Sequence, residues 1–210
     1  MAEGRGGALV AHELHVWRGM RHVLRGVSFS VTGGESIHLR GPNGCGKTTL
    51  LRTLAGFLWP ESGELYWDGR PLHADRDGYA AELAYLGHDN ALKADLTPTE
   101  NLRYACGIRH RTDRAAIASV LGRLGVAPEA DLPLRSLSAG QRRRVAMARV
   151  LLARARVWLL DEPFTNLDVA GVRELSTVVA EHLTAGGIAI LTTHAELALP
   201  GAAPRRLELG

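Results

Sequence analysis

Lysine is nearly missing from this 210-residue chain: Lys47 and Lys93 are the only two among 25 basic residues, and arginine supplies the rest. The excess of basic charge is small, +3 at pH 7. So mild a balance singles out no partner, because nucleic acid, anionic lipid, a nucleotide and a merely solvated arginine-rich surface all fit it. Cysteine is scarce as well. Cys45 and Cys106 are the only two, which excludes a disulfide framework and favours a reducing compartment. Long hydrophobic runs are also lacking, none reaching the roughly 18 residues of a membrane-spanning helix. The opening stretch MAEGRGGALVAHELHV holds neither the apolar core nor the cleavage pattern of an export signal. The chain is therefore expected to be soluble and not exported, with no direct membrane insertion. Any membrane role has to come through a partner.

What is present is ordinary globular composition, 46% hydrophobic and 22% charged, in a chain long enough to bury a core. No internal repeat or low-complexity tract interrupts it, so residues 1–210 are read as one domain. The first eighty residues are β-rich, with strands expected over Leu9–Val16, Ser28–Val31, Ser36–Arg40 and Glu64–Trp67, the last closed by the turn Asp68-Gly69. A helix is expected from Lys47 to Ala55, stopped by Gly56. From Thr97 to Leu137 helical patterns take over. Thr97-Pro98-Thr99-Glu100 reads as a cap and first turn, and Arg114–Leu124 carries apolar residues at helical spacing. The last third alternates helix (Ala139–Ala153), strand (Val157–Leu160), helix (Val169–Leu183) and strand (Ile188–Thr192). Such alternation implies parallel strands with crossover helices, hence an α/β domain with a helical insertion near 88–137.

The chemistry begins at Gly41, Pro42, Asn43, Gly44, Cys45, Gly46, Lys47, Thr48 and Thr49, which fit the P-loop pattern G-x-x-x-x-G-K-S/T in full. The segment lies between an expected strand and an expected helix, as that pattern demands. Glycines let backbone N–H groups turn inward around phosphate oxygens, and the helix start adds unpaired N–H groups and the positive end of a dipole. Lys47 is expected on the β- and γ-phosphates of ATP and the Thr48 hydroxyl on Mg²⁺. Cys45 reads as a small residue tolerated inside the loop; a redox-sensitive thiol near a helix start is the sharper alternative. A second cluster follows about 115 residues later. Val157–Leu160 is apolar throughout and runs into Asp161-Glu162. Uniformly apolar runs suit central parallel strands, and ligands of open α/β sheets bind at strand C-terminal ends. Asp161 is accordingly a candidate Mg²⁺ ligand and Glu162 a candidate for orienting the attacking water.

Leu137-Ser138-Ala139-Gly140-Gln141 narrows the class. It resembles the LSGGQ signature of the ABC (ATP-binding cassette) ATPases, stands about twenty residues before the acidic strand end, and opens a helix with Ser138 as its cap. The resemblance runs from Leu9 to His194. It implies a P-loop NTPase core of the ABC type with an N-terminal antiparallel β lobe and an inserted α-helical lobe. It also implies a head-to-tail dimer, in which Ser138, Gly140 and Gln141 of one copy close on ATP held by the P-loop of a second copy. Asn166-Leu167-Asp168 resembles the D-loop that crosses that interface. Thr193-His194 resembles the switch histidine that contacts the γ-phosphate. Two positions depart from the pattern. Arg18 stands where the family has an adenine-stacking aromatic, so either the guanidinium stacks, neighbouring Trp17 substitutes, or adenine is held loosely. His88, in Tyr85-Leu86-Gly87-His88-Asp89, stands where the family has a glutamine that joins Mg²⁺ and water; an imidazole there adds pH sensitivity.

Tyr85–His88 and Leu96-Thr-Pro-Thr-Glu-Asn-Leu102 are also similar to one subfamily, the cassette subunits of cytochrome c maturation (haem export) systems. Arg142-Arg143-Arg144 and the stretch Asp161–Asp168 are similar too. That resemblance implies a peripheral subunit on the cytoplasmic face of a bacterial inner membrane, partnered by integral membrane transporter subunits. No haem ligand pattern is expected in the chain itself, since the two cysteines form no Cys-x-x-Cys-His. A cassette acting on nucleic acid or the ribosome, a different exporter and a non-hydrolysing regulatory cassette are the competing readings. The lone cassette without heptads counts against the first of these, and Glu162 with His194 against the last.

Overall fold

The computed structural model describes residues 7–107, 113–193 and 204–210. Two sheets organise them. β1 (Ala8–Arg18), β2 (Arg21–Thr32), β4 (Ser62–Trp67) and β5 (Arg70–Pro71) form an antiparallel sheet in the order β2-β1-β4-β5. β6 (Leu83–Leu86), β7 (Val157–Leu160), β8 (Ile188–Thr192), β3 (Ser36–Arg40) and β9 (Arg205–Glu208) form a parallel sheet in the order β6-β7-β8-β3-β9.

The apolar runs in the parallel sheet have a direct cause. Alternate residues of a strand point to opposite faces, and both faces are covered. Trp158 and Leu160 of β7, with Ala189 and Leu191 of β8, enter the core beneath the helices. Val157 and Leu159, with Ile188 and Ile190, enter the core shared with β1, β2 and α1 (Lys47–Leu54). In β1 the inward set changes parity, from Leu9 and Ala11 to Leu14 and Val16. An irregularity between Ala11 and Leu14, with Glu13 at φ 48°, inserts the extra residue that allows it.

Helices α2 (Arg76–Ala81), α3 (Pro98–Gly107) and α4 (Arg114–Arg123) precede α5 (Ala139–Leu152), and α6 (Val169–Thr184) links β7 to β8. α3 and α4 pack on each other and on α5. The start of α3 is a reciprocal cap: the Thr97 N–H donates to Glu100 Oε2 at 2.8 Å and the Glu100 N–H to Thr97 Oγ1 at 3.1 Å. Ser36–Arg40 does not belong with the antiparallel strands around it in sequence. It sits between β8 and β9, with Ser36 and His38 buried, and these two polar residues hide its central position. β2 is far longer than Ser28–Val31, because Gly26 (φ 68°) stays inside the strand as an irregularity instead of ending it. β6, α2 and β9 had no expectation attached. Parallel pairing brings the C-terminal ends of β3, β7 and β8 side by side, with Leu39 opposite Thr192 and Leu160 opposite Leu191.

Candidate functional site

Those three strand ends are followed by Gly41, Asp161 and Thr193, and the site grows from them. The P-loop turns on Gly41 (φ 136°), Gly44 (φ 78°) and Gly46 (φ 113°). Space as well as dihedral angle fixes two of these. A Cβ on Gly41 would lie 2.2 Å from the Leu209 carbonyl oxygen, and one on Gly46 would lie 2.8 Å from Val23 Cγ1. Gly46 caps α1 and supplies no side-chain hydrogen bond, so the first N–H groups of the helix are left to the loop's concavity. Lys47 is buried, and its Nζ donates to the carbonyls of Gly41 (2.7 Å) and Pro42 (3.2 Å), holding the cation over the loop. Thr49 and Pro42 lie within the same turn-and-helix segment, and the Cys45 N–H donates to the Pro42 carbonyl at 3.2 Å.

Opposite the loop, Thr48 Oγ1 donates to Asp161 Oδ2 at 2.7 Å. The two nominated metal ligands, 113 residues apart, therefore touch. Thr192 Oγ1 donates to Asp161 Oδ1 at 2.8 Å and accepts from the Glu162 N–H at 2.7 Å. One hydroxyl thus ties both carboxylate residues to the end of β8. Glu162 takes a left-handed conformation, φ 50°, which bends the chain out of β7 directly after Asp161. His88 follows β6, and its Nδ1 stands 4.0 Å from Glu162 Oε2 with the imidazole 71% exposed. Thr165 Oγ1 also donates to Glu162 Oε2, at 3.2 Å.

The arrangement suits a hard divalent cation. A hydroxyl and a carboxylate oxygen meet beside a phosphate-shaped concavity, and oxygen donors of this kind are what Mg²⁺ takes. Among the described residues no group of three or more His, Cys, Asp or Glu could hold a metal ion alone, so a cation at Thr48 and Asp161 would complete its shell with phosphate oxygens and water.

Ser138 and Gln141 satisfy each other at the start of α5. The Gln141 N–H donates to Ser138 Oγ (3.2 Å), and the Ser138 N–H to Gln141 Oε1 (2.8 Å). Gln141 Nε2 further donates to Glu129 Oε1 at 2.9 Å. Gly140 lies against the turn before α6, where a Cβ would stand 2.6 Å from the Asn166 carbonyl oxygen. Asp168 caps α6 by accepting from the Gly171 N–H (2.9 Å) and pairs with Arg144 (2.5 Å). The Gly171 N–H, then the Arg144 charge, hold its carboxyl below the ordinary range. The signature segment and Asp168 thus meet through Gly140 and the turn at Asn166 within one protomer.

Arg18 ends β1 and is exposed. The arginine of that hairpin which reaches the P-loop is Arg21, whose Nη2 donates to the Gly44 carbonyl at 2.9 Å. Trp17 stacks one face on His22, ring centroids 4.3 Å apart. His194 lies outside the described residues. Sequence reasoning overlooked three side chains here: Arg21, Thr192 and Arg143. Thr192 was visible only as the last residue of a strand, and Arg143 only as one of three consecutive arginines. Arg143 is 4% exposed, and its guanidinium donates to the backbone carbonyls of Asp161 and Glu162. Burial pushes its pKa down while Asp161 and Glu162 push it up.

Comparison with known proteins agrees with this geometry. Residues 24–165 match the family model of the ABC transporter. The chain is 49% identical over 188 residues to the cytochrome c biogenesis ATP-binding export protein CcmA of Aromatoleum aromaticum, covering 89% of this chain and 88% of that one. It is 46% identical over 204 residues to the protein of the same name from Escherichia coli K12, covering 97% of each. Among solved structures, an ABC transporter ATP-binding protein from Pyrococcus furiosus superposes with a TM-score of 0.83 at 25% identity, covering 96% of this chain and 97% of the other. The chain belongs to the ABC transporter family of ATP-binding subunits, alongside the cytochrome c biogenesis ATP-binding export proteins.

Proposed function

We propose that this chain is the ATP-hydrolysing motor subunit of an ABC membrane complex serving cytochrome c biogenesis or haem export. The observation that carries the hydrolytic part is the hydrogen-bonded chain Thr48–Asp161–Thr192–Glu162 at the mouth of the P-loop. The near-full-length similarity to export proteins of cytochrome c biogenesis supports the cellular role.

The whole chain acts as one nucleotide-binding domain, with α3 and α4 as its helical lobe. Lys47 and the N–H groups at the start of α1 receive the phosphates of ATP. Thr48 and Asp161 would hold Mg²⁺, which supplies neutralisation of charge across the phosphate oxygens. Glu162 orients and polarises the attacking water, with His88 beside it and His194 as a further contact to the γ-phosphate. The protein's contribution is positioning and electrostatics, with no covalent intermediate. Ser138, Gly140 and Gln141 face the nucleotide of a second copy, with Asp168 at the same interface, so two ATP sites form only in a head-to-tail dimer. Among the described residues no helix is long and apolar enough to cross a membrane. Attachment as a peripheral subunit at the cytoplasmic face of the inner membrane therefore runs through integral membrane subunits.

Calorimetry with Mg–ATP and a steady-state phosphate-release assay test the reading together. Glu162→Gln should bind ATP like the parent and lose on the order of 10²- to 10⁴-fold in kcat, the usual share of a positioned acid or base. Parental turnover in that variant would remove Glu162 from the mechanism.

A further inference from the structure

Arg143 is the fifth residue of α5 and nearly fully buried. Its guanidinium reaches two separate loops. Nη2 donates to the carbonyls of Asp161 (2.5 Å) and Glu162 (2.9 Å), and Nε to that of Pro163 (3.4 Å). Nη1 donates to the Gly87 carbonyl (2.9 Å), the His88 carbonyl (3.5 Å) and Asn90 Oδ1 (2.9 Å). These acceptors are all neutral oxygens, so among the described residues the buried charge is met by carbonyl dipoles and not by direct pairing with a carboxylate.

Such burial is expensive. Removing an ion from water carries a desolvation penalty that relaxation only partly relieves, and an apolar side chain would fill the space without it. What only a planar fork with five donors can do is grip two backbone segments at once. One of those segments needs gripping. Glu162 sits at φ 50°, a conformation unfavourable for a side chain with a Cβ, which persists only when its surroundings fix it. Its N–H is held by Thr192 and its carbonyl by Arg143, so the peptide planes on both sides are pinned. The other segment carries His88, whose backbone the same guanidinium holds and whose imidazole stands 4.0 Å from Glu162. Arg143 belongs to the helix that opens with Ser138–Gln141, so one side chain ties that helix to both loops.

We propose that Arg143 is a positioning residue for hydrolysis, linking the signature helix to the orientation of Glu162 and His88 in the same protomer. The proposal rests on the reading of Glu162 as the residue that orients water. Arg143→Lys keeps the charge but can reach only one loop, and Arg143→Ala opens space for an added cation. In the full chain, both should lower kcat about 100-fold, the loss expected from a misplacement near 1 Å, while the dissociation constant for Mg–ATP stays within about threefold. Roughly 20 mM guanidinium chloride, far below denaturing concentrations, should restore a tenth or more of the lost activity to Arg143→Ala, and ammonium chloride should not. Turnover in Arg143→Lys and Arg143→Ala close to the parent's overturns the proposal. So does loss of ATP binding in both variants, which would make Arg143 a folding residue, or equal rescue by any salt. Glu162→Gln in the same assay separates the two readings: if it keeps parental turnover, the underlying mechanism fails; if it is inactive while the Arg143 variants are not, only the role of Arg143 fails.

Discussion

At the residue scale, the site is a set of exchanges between groups far apart in sequence. Thr192 shows this best, because its hydroxyl serves Asp161 and the Glu162 N–H together. Thr192→Val keeps the shape and removes both bonds, leaving a buried carboxylate oxygen and a backbone N–H short of partners. The variant should lose about 1–3 kcal/mol of stability, the cost of stranding such groups; chemical denaturation measures it, and an unchanged midpoint would show the bridge to be dispensable. Lys47→Ala removes the cation held over the P-loop. A charged hydrogen bond contributes about 1.5–3 kcal/mol, so ATP should bind on the order of 10- to 100-fold more weakly. Equal affinity in calorimetry would take Lys47 out of nucleotide binding.

At the scale of elements, the close packing of α5 against the turn before α6 matters most. Gly140 gives that turn its approach, with the Asn166 carbonyl 2.6 Å from where a Cβ would be. Gly140→Ala must push the two apart, and ATPase activity is expected to fall while ATP binding at the P-loop is kept. Parallel loss of both would point to misfolding instead. The same elements show what the sequence made readable. The P-loop, the apolar strand ending at Asp161 and the capped start of α5 are local patterns, and each stands where its pattern placed it. Other features depend on distant partners. β3 carries Ser36 and His38, and only the neighbouring strands reveal it as central. β2 runs through Gly26, which local rules read as a break. Arg143 stands in the sequence only as one of three consecutive arginines, and nothing in its spacing tells that two loops fold around it. Arg21 likewise reaches Gly44 only because the hairpin curls over the P-loop.

At the scale of the whole molecule, the buried His38 and the half-buried His182 set a dependence on pH. Burial first, then the charges of Arg40 and Arg206, lower the pKa of His38 to about 4. Burial lowers that of His182, stacked on Trp158, to about 4 as well, against the opposing pull of backbone carbonyls. In the unfolded chain both titrate near 6.5. Between those values the unfolded state binds more protons, so stability is full above pH 6.5 and falls as pH drops toward 4. Thermal melts over that range should show the decline, and His38→Leu should flatten it; an unchanged slope would remove His38 from the effect. The assembly is the remaining claim, for the proposed reading has each ATP site completed by the Ser138–Gln141 segment of a second copy. Light scattering on Glu162→Gln, with and without Mg–ATP, addresses it most directly. The account predicts a shift from the 22.6 kDa of one chain to twice that mass when ATP is added. A variant that binds ATP yet stays at the mass of one chain would contradict it.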